Sequence, residues 1–170
     1  MTVVGDHVGL LRRYVRQYYD GLTDDELHWE PVPGMWGVRR QESGEITFDG
    51  LEQRDAPAPP LTMIAWRMGH VISMARSSTD DLAGVERRPM PAMPLDAAGT
   101  LEVWWGAMDG FVHAVRALSE EELTSPLGAV DENVTRAGWI SHNALEIAFH
   151  SAEVGTMRHL YREMHAPRRT

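Results

Sequence analysis

The chain has 170 residues, of which 43% are hydrophobic and 24% are charged, a balance typical of a single globular domain with a hydrophobic core. Its formal net charge of −9 opposes non-specific binding to nucleic acid or anionic lipid, which requires basic surface. The absence of cysteine excludes disulfides, thiol nucleophiles and cysteine-bound metal centres, so any metal ligands must be His, Asp or Glu.

The apolar runs and the N-terminal residues predict where the protein resides. No apolar run approaches the ~20 residues that cross a bilayer. The segment Met1–Asp6 lacks the basic and apolar blocks of a signal peptide. We therefore expect a cytoplasmic protein with one domain over residues 1–170 and with neither membrane nor nucleic acid among its partners. A homodimer is left open.

Four stretches with apolar residues at helical spacing predict four long helices. They run from about Asp6 to Gly21, from Leu61 to Asp80, from Asp96 or Thr100 to Leu118, and from Thr135 to Met164. Thr62 is expected to cap the second, and Thr23 and Ser119 to begin two short helical turns. Without strong strand alternation or internal repeats, this pattern predicts an all-α four-helix bundle whose links are long enough for crossover connections.

A Pro- and Gly-rich segment, Pro31–Pro60, separates the first two predicted helices and is longer than a passive connection requires. Two short extended pieces are expected within it: Trp36–Val38 and Glu45–Phe48. One interpretation is that the segment walls a pocket with Trp36, Arg39 and Arg40. The other interpretation is a surface loop whose Trp36 and Phe48 cover the helices.

Glu146 and His150 lie one turn apart on the fourth predicted helix and therefore project from the same face. A carboxylate and an imidazole placed in this way can bind one metal ion. His70, in the second predicted helix, would be a third ligand if the two helices pack side by side. Spacing alone leaves open a simple Glu146–His150 pair and a His70 packed in the core.

Other polar and aromatic residues lie near these three. His142 is one turn further along the same face and is interpreted as a non-ligand, although a fourth ligand stays open. Glu153 and Asn143 either orient the ligands through hydrogen bonds or bond elsewhere between helices. Trp66 is expected in the core, and Arg67 either has a polar role at the site or is solvated or ion-paired.

Two segments resemble those of a known family. Thr62-Met-Ile-Ala-Trp-Arg-Met-Gly-His70 resembles the segment of the DinB-like metal-binding family that ends in its first ligand histidine. The run His142-Asn-Ala-Leu-Glu-Ile-Ala-Phe-His150-Ser-Ala-Glu-Val-Gly is similar to the family's fourth-helix segment. The resemblance extends from the first helix through Tyr161 and implies a DinB-like bundle that holds one divalent metal ion.

The candidate ligand residues indicate which branch of this family the chain resembles. The common family form has histidine at both positions 146 and 150, whereas this chain has Glu146 and His150. The branch that includes the mycothiol-dependent maleylpyruvate isomerases uses a His, Glu, His triad, which His70, Glu146 and His150 match. The resemblance therefore implies that these three residues are the metal ligands.

Metal-dependent chemistry with a thiol is the leading hypothesis for the function. Two histidines and a carboxylate suit zinc, the metal we expect, while nickel, iron(II) and manganese are also acceptable. Three protein ligands leave positions for water or substrate, the layout of a catalytic site. We expect a thiol-dependent S-transferase or isomerase, in which a low-molecular-weight thiol such as mycothiol attacks a small-molecule electrophile.

Other functions use the same ligands. One is a metal-dependent hydrolase that activates water, and another is a non-catalytic metal- or ligand-binding module. Iron(II) oxygenases also use two histidines and a carboxylate, but usually on β-barrels, whereas this chain is predicted to be helical. No general base is identified from the sequence.

Overall fold

A computed structural model of the protein describes residues 2–50, 61–128 and 132–167. Within these ranges the chain is mostly helical, as predicted, with one two-stranded sheet. The elements are α1 (Val3–Val15), α2 (Asp24–Leu27), β1 (Val38–Arg40), β2 (Ile46–Phe48), α3 (Ile64–Ala83), α4 (Ala97–Ala117), α5 (Glu120–Thr124) and α6 (Arg136–His165). No helix in the described ranges has both the length and the apolar character needed to cross a membrane.

Side-chain caps begin most of these helices. Thr2, Asp96 and Thr135 each accept a hydrogen bond from the backbone N–H three residues later, at the starts of α1, α4 and α6. Thr23 and Ser119 form complete capping boxes for the short helices α2 and α5. The caps predicted at Thr23 and Ser119 are thus confirmed, and of the two alternatives for the start of the third long helix, Asp96 and Thr100, the structure shows Asp96.

The first helix differs from its prediction at both ends. It spans Val3–Val15, and a 3-10 turn at Arg16–Tyr18 follows, whereas one helix was predicted from Asp6 to Gly21. The earlier start follows from the cap at Thr2, which satisfies a backbone N–H of the first turn.

The predicted cap of α3 at Thr62 is wrong. Helix α3 begins at Ile64 after Met63, which makes no capping hydrogen bond with its side chain. Thr62 instead forms an isolated parallel bridge with Trp36, and Met63 N donates to the Trp36 carbonyl at 2.7 Å. Thr62 is therefore paired in an extended conformation with the Pro- and Gly-rich segment and does not cap α3.

The core lies among the long helices. Helix α3 contacts α4 and α6, and α1 contacts the same two helices. The largest fully buried apolar side chains are Trp104, Tyr19, Phe111, Leu27, Ile64, Met68, Ile72, Met108, Ile140 and Ile147. Burial of each large apolar side chain contributes about 1.5–3 kcal/mol to folding. The packing of α3 against α6 places their polar residues at a common edge of this core.

A small hairpin covers the N-terminal half of α3. Strands β1 and β2 pair antiparallel, with Val38 opposite Phe48, in the region where extended pieces were predicted. The Phe48 ring lies so close to Gly69 that a Cβ on that residue would overlap it. Glycine at position 69 therefore allows the hairpin to approach α3. Residues 51–60 of the predicted Pro- and Gly-rich segment lie outside the described residues.

Candidate metal centre

His70 on α3 meets Glu146 and His150 on α6, and all three side chains are half-buried. One ligand atom from each residue lies within 4.8 Å of the others. The Nε2 atom of His150 is 3.4 Å from a carboxylate oxygen of Glu146. The two imidazole rings lie 4.9 Å apart at an interplanar angle of 81°. The structure therefore brings together the three residues that the sequence singled out.

The donor atoms fit a divalent metal ion. Zinc bonds of ~2.0–2.2 Å in a tetrahedral arrangement place neighbouring ligand atoms ~3.4 Å apart. The His150 Nε2 to Glu146 separation of 3.4 Å matches this spacing. The remaining separations between ligand atoms are within 4.8 Å. Two nitrogens and one carboxylate oxygen would leave part of the coordination sphere open to small molecules.

Glu153 fixes the orientation of His150. Its carboxylate lies 2.7 Å from His150 Nδ1, one turn further along α6. A carboxylate accepts a hydrogen bond, so this contact holds the proton on Nδ1 and leaves the Nε2 lone pair directed towards Glu146. A carboxylate bonded to the distal nitrogen is the usual partner of a metal-binding histidine.

Arg67 on α3 contacts the same Glu153 carboxylate. Its guanidinium forms an ion pair with Glu153 across the α3–α6 interface, and its side chain is only 13% exposed. Burial lowers the pKa of Arg67 below its ordinary value. Of the two alternatives for Arg67, the structure shows the ion pair, and its partner is the carboxylate that holds His150.

Both histidines are held in the neutral form. Burial, reinforced by the neighbouring His70 and Arg67, lowers the pKa of His150 to about 4. Burial also lowers the pKa of His70; Glu146 opposes this shift and Arg67 adds to it. Neutral imidazole is the form that binds metal ions, so neither histidine has to lose a proton at neutral pH.

His70 is held by an aromatic neighbour. The Trp66 ring stacks on it with centroids 5.4 Å apart and planes 8° from parallel. The Trp66 indole N–H donates to the Asp49 carbonyl at 2.8 Å, which ties it to the end of the hairpin. Trp66 was predicted in the core, but it is half-buried and faces a cleft.

The other predicted neighbours lie away from the three ligands. His142 is exposed and lies outside the group of candidate ligands; its ring centroid is 5.7 Å from that of Trp139, with the ring planes tilted by 30°. Asn143 is fully buried, and its side-chain amide donates to the Trp139 carbonyl at 2.8 Å. Glu153, rather than Asn143, therefore has the orienting contact.

A cleft of about 930 Å³ adjoins the candidate centre. Its described lining comprises residues 44–50, Trp66, Gly69, His70, Ser73 and residues 90–93. The Pro- and Gly-rich segment thus walls a pocket, but with β2 and its flanking residues. Arg39 is instead paired with Glu30 and Asp49. The sequence did not predict that residues 90–93 line the cleft, because a Pro- and Met-rich link has no pattern that indicates which element it packs against.

No protein-family model matches the chain, and no curated protein matches it at a significant level. The DinB-like resemblance therefore stays a prediction based on the two segments quoted above.

Proposed function

We propose that His70, Glu146 and His150 hold one divalent metal ion, zinc, in a DinB-like four-helix bundle formed by α1, α3, α4 and α6. The observation that carries this proposal is the convergence of one ligand atom from each residue within 4.8 Å, from two helices far apart in sequence. The Glu153 hydrogen bond to His150 supports it, because it directs the free nitrogen towards the other ligands.

We further propose that the protein is a thiol-dependent S-transferase or isomerase. Bound zinc would lower the pKa of a thiol, so that more of it is present as thiolate near neutral pH. The chain has no cysteine, so the thiol would come from a small molecule such as mycothiol. The thiol loses its proton to solvent, and its sulfur bonds to an electrophilic carbon of the substrate. In a transfer, the leaving group departs with the electron pair of its bond to that carbon. In an addition, the electron pair of the substrate's π bond moves to the neighbouring atom, which takes up a proton, and an isomerase then expels the thiol to restore the double bond. The three ligands leave room for such a molecule, and the adjoining cleft can hold the electrophile.

Calorimetry with thiols tests the reaction class. Zinc-loaded protein is titrated with mycothiol, glutathione and N-acetylcysteine, and with N-acetylserine as the oxygen analogue. We expect at least one thiol to bind about tenfold or more tightly than the oxygen analogue, because thiolate sulfur is the better zinc ligand. The His150→Ala variant should lose this preference. Equal binding of the sulfur and oxygen analogues, or no binding of any thiol, would overturn the thiol-dependent function.

Two outcomes would favour the other functions. Steady turnover of ester or amide substrates by the zinc-loaded protein without any thiol would indicate a hydrolase. Metal binding with neither thiol binding nor turnover would indicate a non-catalytic binding module. With its net charge of −9, the protein is proposed to act on small molecules in the cytoplasm rather than on nucleic acid.

A further inference from the structure

The cleft beside His70 has a mainly apolar lining with one aromatic wall. Ile46 and Phe48 come from the hairpin, Trp66 comes from α3, and Met90 and Met93 come from the link that precedes α4. Trp66 and Phe48 lie 5.7 Å apart, so their rings form a continuous surface. Such a surface binds an aryl or alkyl group through apolar burial and aromatic contact.

The charged groups of this cleft are acidic. Its described lining contains the carboxylates of Glu45 and Asp49 and no arginine. Asp49 is neutralised, since it accepts hydrogen bonds from the Arg39 guanidinium at 3.0 Å and from Gly37 N at 2.9 Å. Glu45 is exposed and has no ion-pair partner among the described residues. Glu45 is therefore the unpaired carboxylate among the described lining residues.

Two of the arginines near the cleft, Arg87 and Arg88, have carboxylate partners. Arg40 lies opposite Ile46 across the hairpin, and its guanidinium donates to the Gly44 carbonyl at 3.2 Å. Arg87 and Arg88, which precede the lining residues of the link, pair with buried carboxylates of α3. None of these three is among the lining residues. Among the described lining residues, a ligand with a carboxylate or phosphate would thus meet apolar side chains and Glu45 and no cationic side chain.

We propose that this cleft binds the substrate of the metal centre and that the substrate has an apolar, preferably aromatic, body that is neutral or cationic where it lies against the hairpin. This inference rests on the proposed function, since it assigns the cleft to the same reaction. His70 is shared by the metal ligands and the cleft lining, so the reactive end of the substrate lies beside His70. The opposite end lies towards Glu45.

Three probes with the same body and different charges test this assignment. We would titrate 3-phenylpropylamine, 3-phenylpropanol and 3-phenylpropanoate into the full chain, both metal-free and zinc-loaded. Binding is followed by NMR shifts of the Trp66 indole N–H and the Gly69 amide, which report on the cleft wall. In the metal-free protein the amine and the alcohol should bind about tenfold more tightly than the carboxylate, since the described lining offers no cationic side chain and one unpaired carboxylate.

Two pairs of variants locate the binding. Ser73→Phe puts a ring into the cleft from an exposed position of α3 and should abolish the probe shifts, whereas Ser141→Phe, at an exposed position of α6, should leave them unchanged. Glu45→Gln should weaken the preference for the amine over the carboxylate. Glu42→Gln, in the same hairpin but outside the lining, should not change it.

The outcomes separate this inference from the metal proposal. Tightest binding of the carboxylate by the metal-free protein would overturn the ligand class. Absence of probe shifts, or shifts that persist in Ser73→Phe, would overturn the cleft as a binding site. Zinc affinity is measured separately by competition with a chelator and should be the same in Ser73→Phe and in the unmodified chain. Probe binding by a protein that fails to bind zinc would sustain the cleft and defeat the proposed function.

Discussion

The Glu153 carboxylate lies 2.7 Å from Nδ1 of His150, while the opposite nitrogen of the same ring lies 3.4 Å from Glu146. The imidazole is therefore bonded to a carboxylate on one side and presents its other nitrogen to the candidate metal position. Arg67 pairs with the same Glu153 carboxylate from the neighbouring helix. One side chain, Glu153, thus both orients a candidate ligand and forms an ion pair between α3 and α6.

Replacement of Glu153 by Gln should lower zinc affinity about 10- to 100-fold, the usual effect of removing a carboxylate that orients a histidine ligand. The substitution retains the shape of the side chain but removes the charge that holds the Nδ1 proton. Competition with a chelating indicator measures the affinity, and circular dichroism checks that the variant is folded. Glu163→Gln, at an exposed position near the end of α6, is the control and should bind zinc normally. A Glu153→Gln affinity within twofold of the unmodified chain would show that Glu153 has no orienting role.

The metal-free protein should lose stability as the pH falls, in part through His150. Its pKa in the folded state is about 4, against an ordinary value of 6.5. Between these values the unfolded chain binds a proton that the folded chain does not, so stability falls with decreasing pH across this window and is fully retained above it. Urea denaturation between pH 4.5 and 7.5 measures the slope.

Two histidine variants separate the contribution of His150 to this pH dependence from that of other groups. His150→Gln should give a shallower dependence of the free energy of unfolding on pH than the unmodified chain. His159→Gln, at an exposed position on the same helix, should retain the original dependence. Identical slopes in His150→Gln and the unmodified chain would contradict the neutral, buried state of His150.

Much of the helical framework could be predicted, because apolar spacing and capping residues act locally. The caps at Thr23, Asp96 and Ser119 satisfy backbone groups within their own helical turn, and the structure shows all three. Thr62 has the same kind of side chain, but its bridge to Trp36 overrides the local preference. Contacts between distant segments of this kind have no signature in the local pattern.

The candidate site could be predicted only in part. Glu146 and His150 are related by helical spacing, whereas the approach of His70 depends on how α3 packs against α6. The resemblance to a known family, rather than spacing, linked these three residues in the sequence. The bond from Arg67 to Glu153 and the contribution of residues 90–93 to the cleft depend on the tertiary arrangement alone.

Gly69→Ala should destabilise the protein by about 1–3 kcal/mol, since the new methyl group would overlap the Phe48 ring and displace the hairpin. Gly106→Ala is the matched control in α4, where a Cβ would meet no atom within 4 Å. That substitution should stabilise the helix by about 0.5–1 kcal/mol. Urea denaturation of both variants measures the two changes in the free energy of unfolding. Equal effects at both positions would refute the close contact between the hairpin and α3.

The buried Glu26–Arg158 pair should be important for stability but not for metal binding. Both side chains are at most 4% exposed, and their charged atoms lie 3.0 Å apart. Glu26→Gln would leave Arg158 without its counter-charge and should cost about 3–5 kcal/mol. Asp20→Asn, which removes the exposed pair with Arg16, should cost less than about 1 kcal/mol. Unfolding curves give both values, and an equally small loss in the two variants would contradict the burial of the Glu26 pair.

The most direct test of the metal centre is the zinc stoichiometry of the purified chain and its variants, measured by elemental analysis and by calorimetric titration. The protein should bind one zinc ion per chain, and His70→Ala, Glu146→Gln and His150→Ala should each weaken binding by at least tenfold while remaining folded. His142→Ala, on the same face of α6 but outside the ligand group, should bind as the unmodified chain does. No stoichiometric binding by the unmodified chain, or full binding by the three ligand variants, would contradict a metal centre at His70, Glu146 and His150.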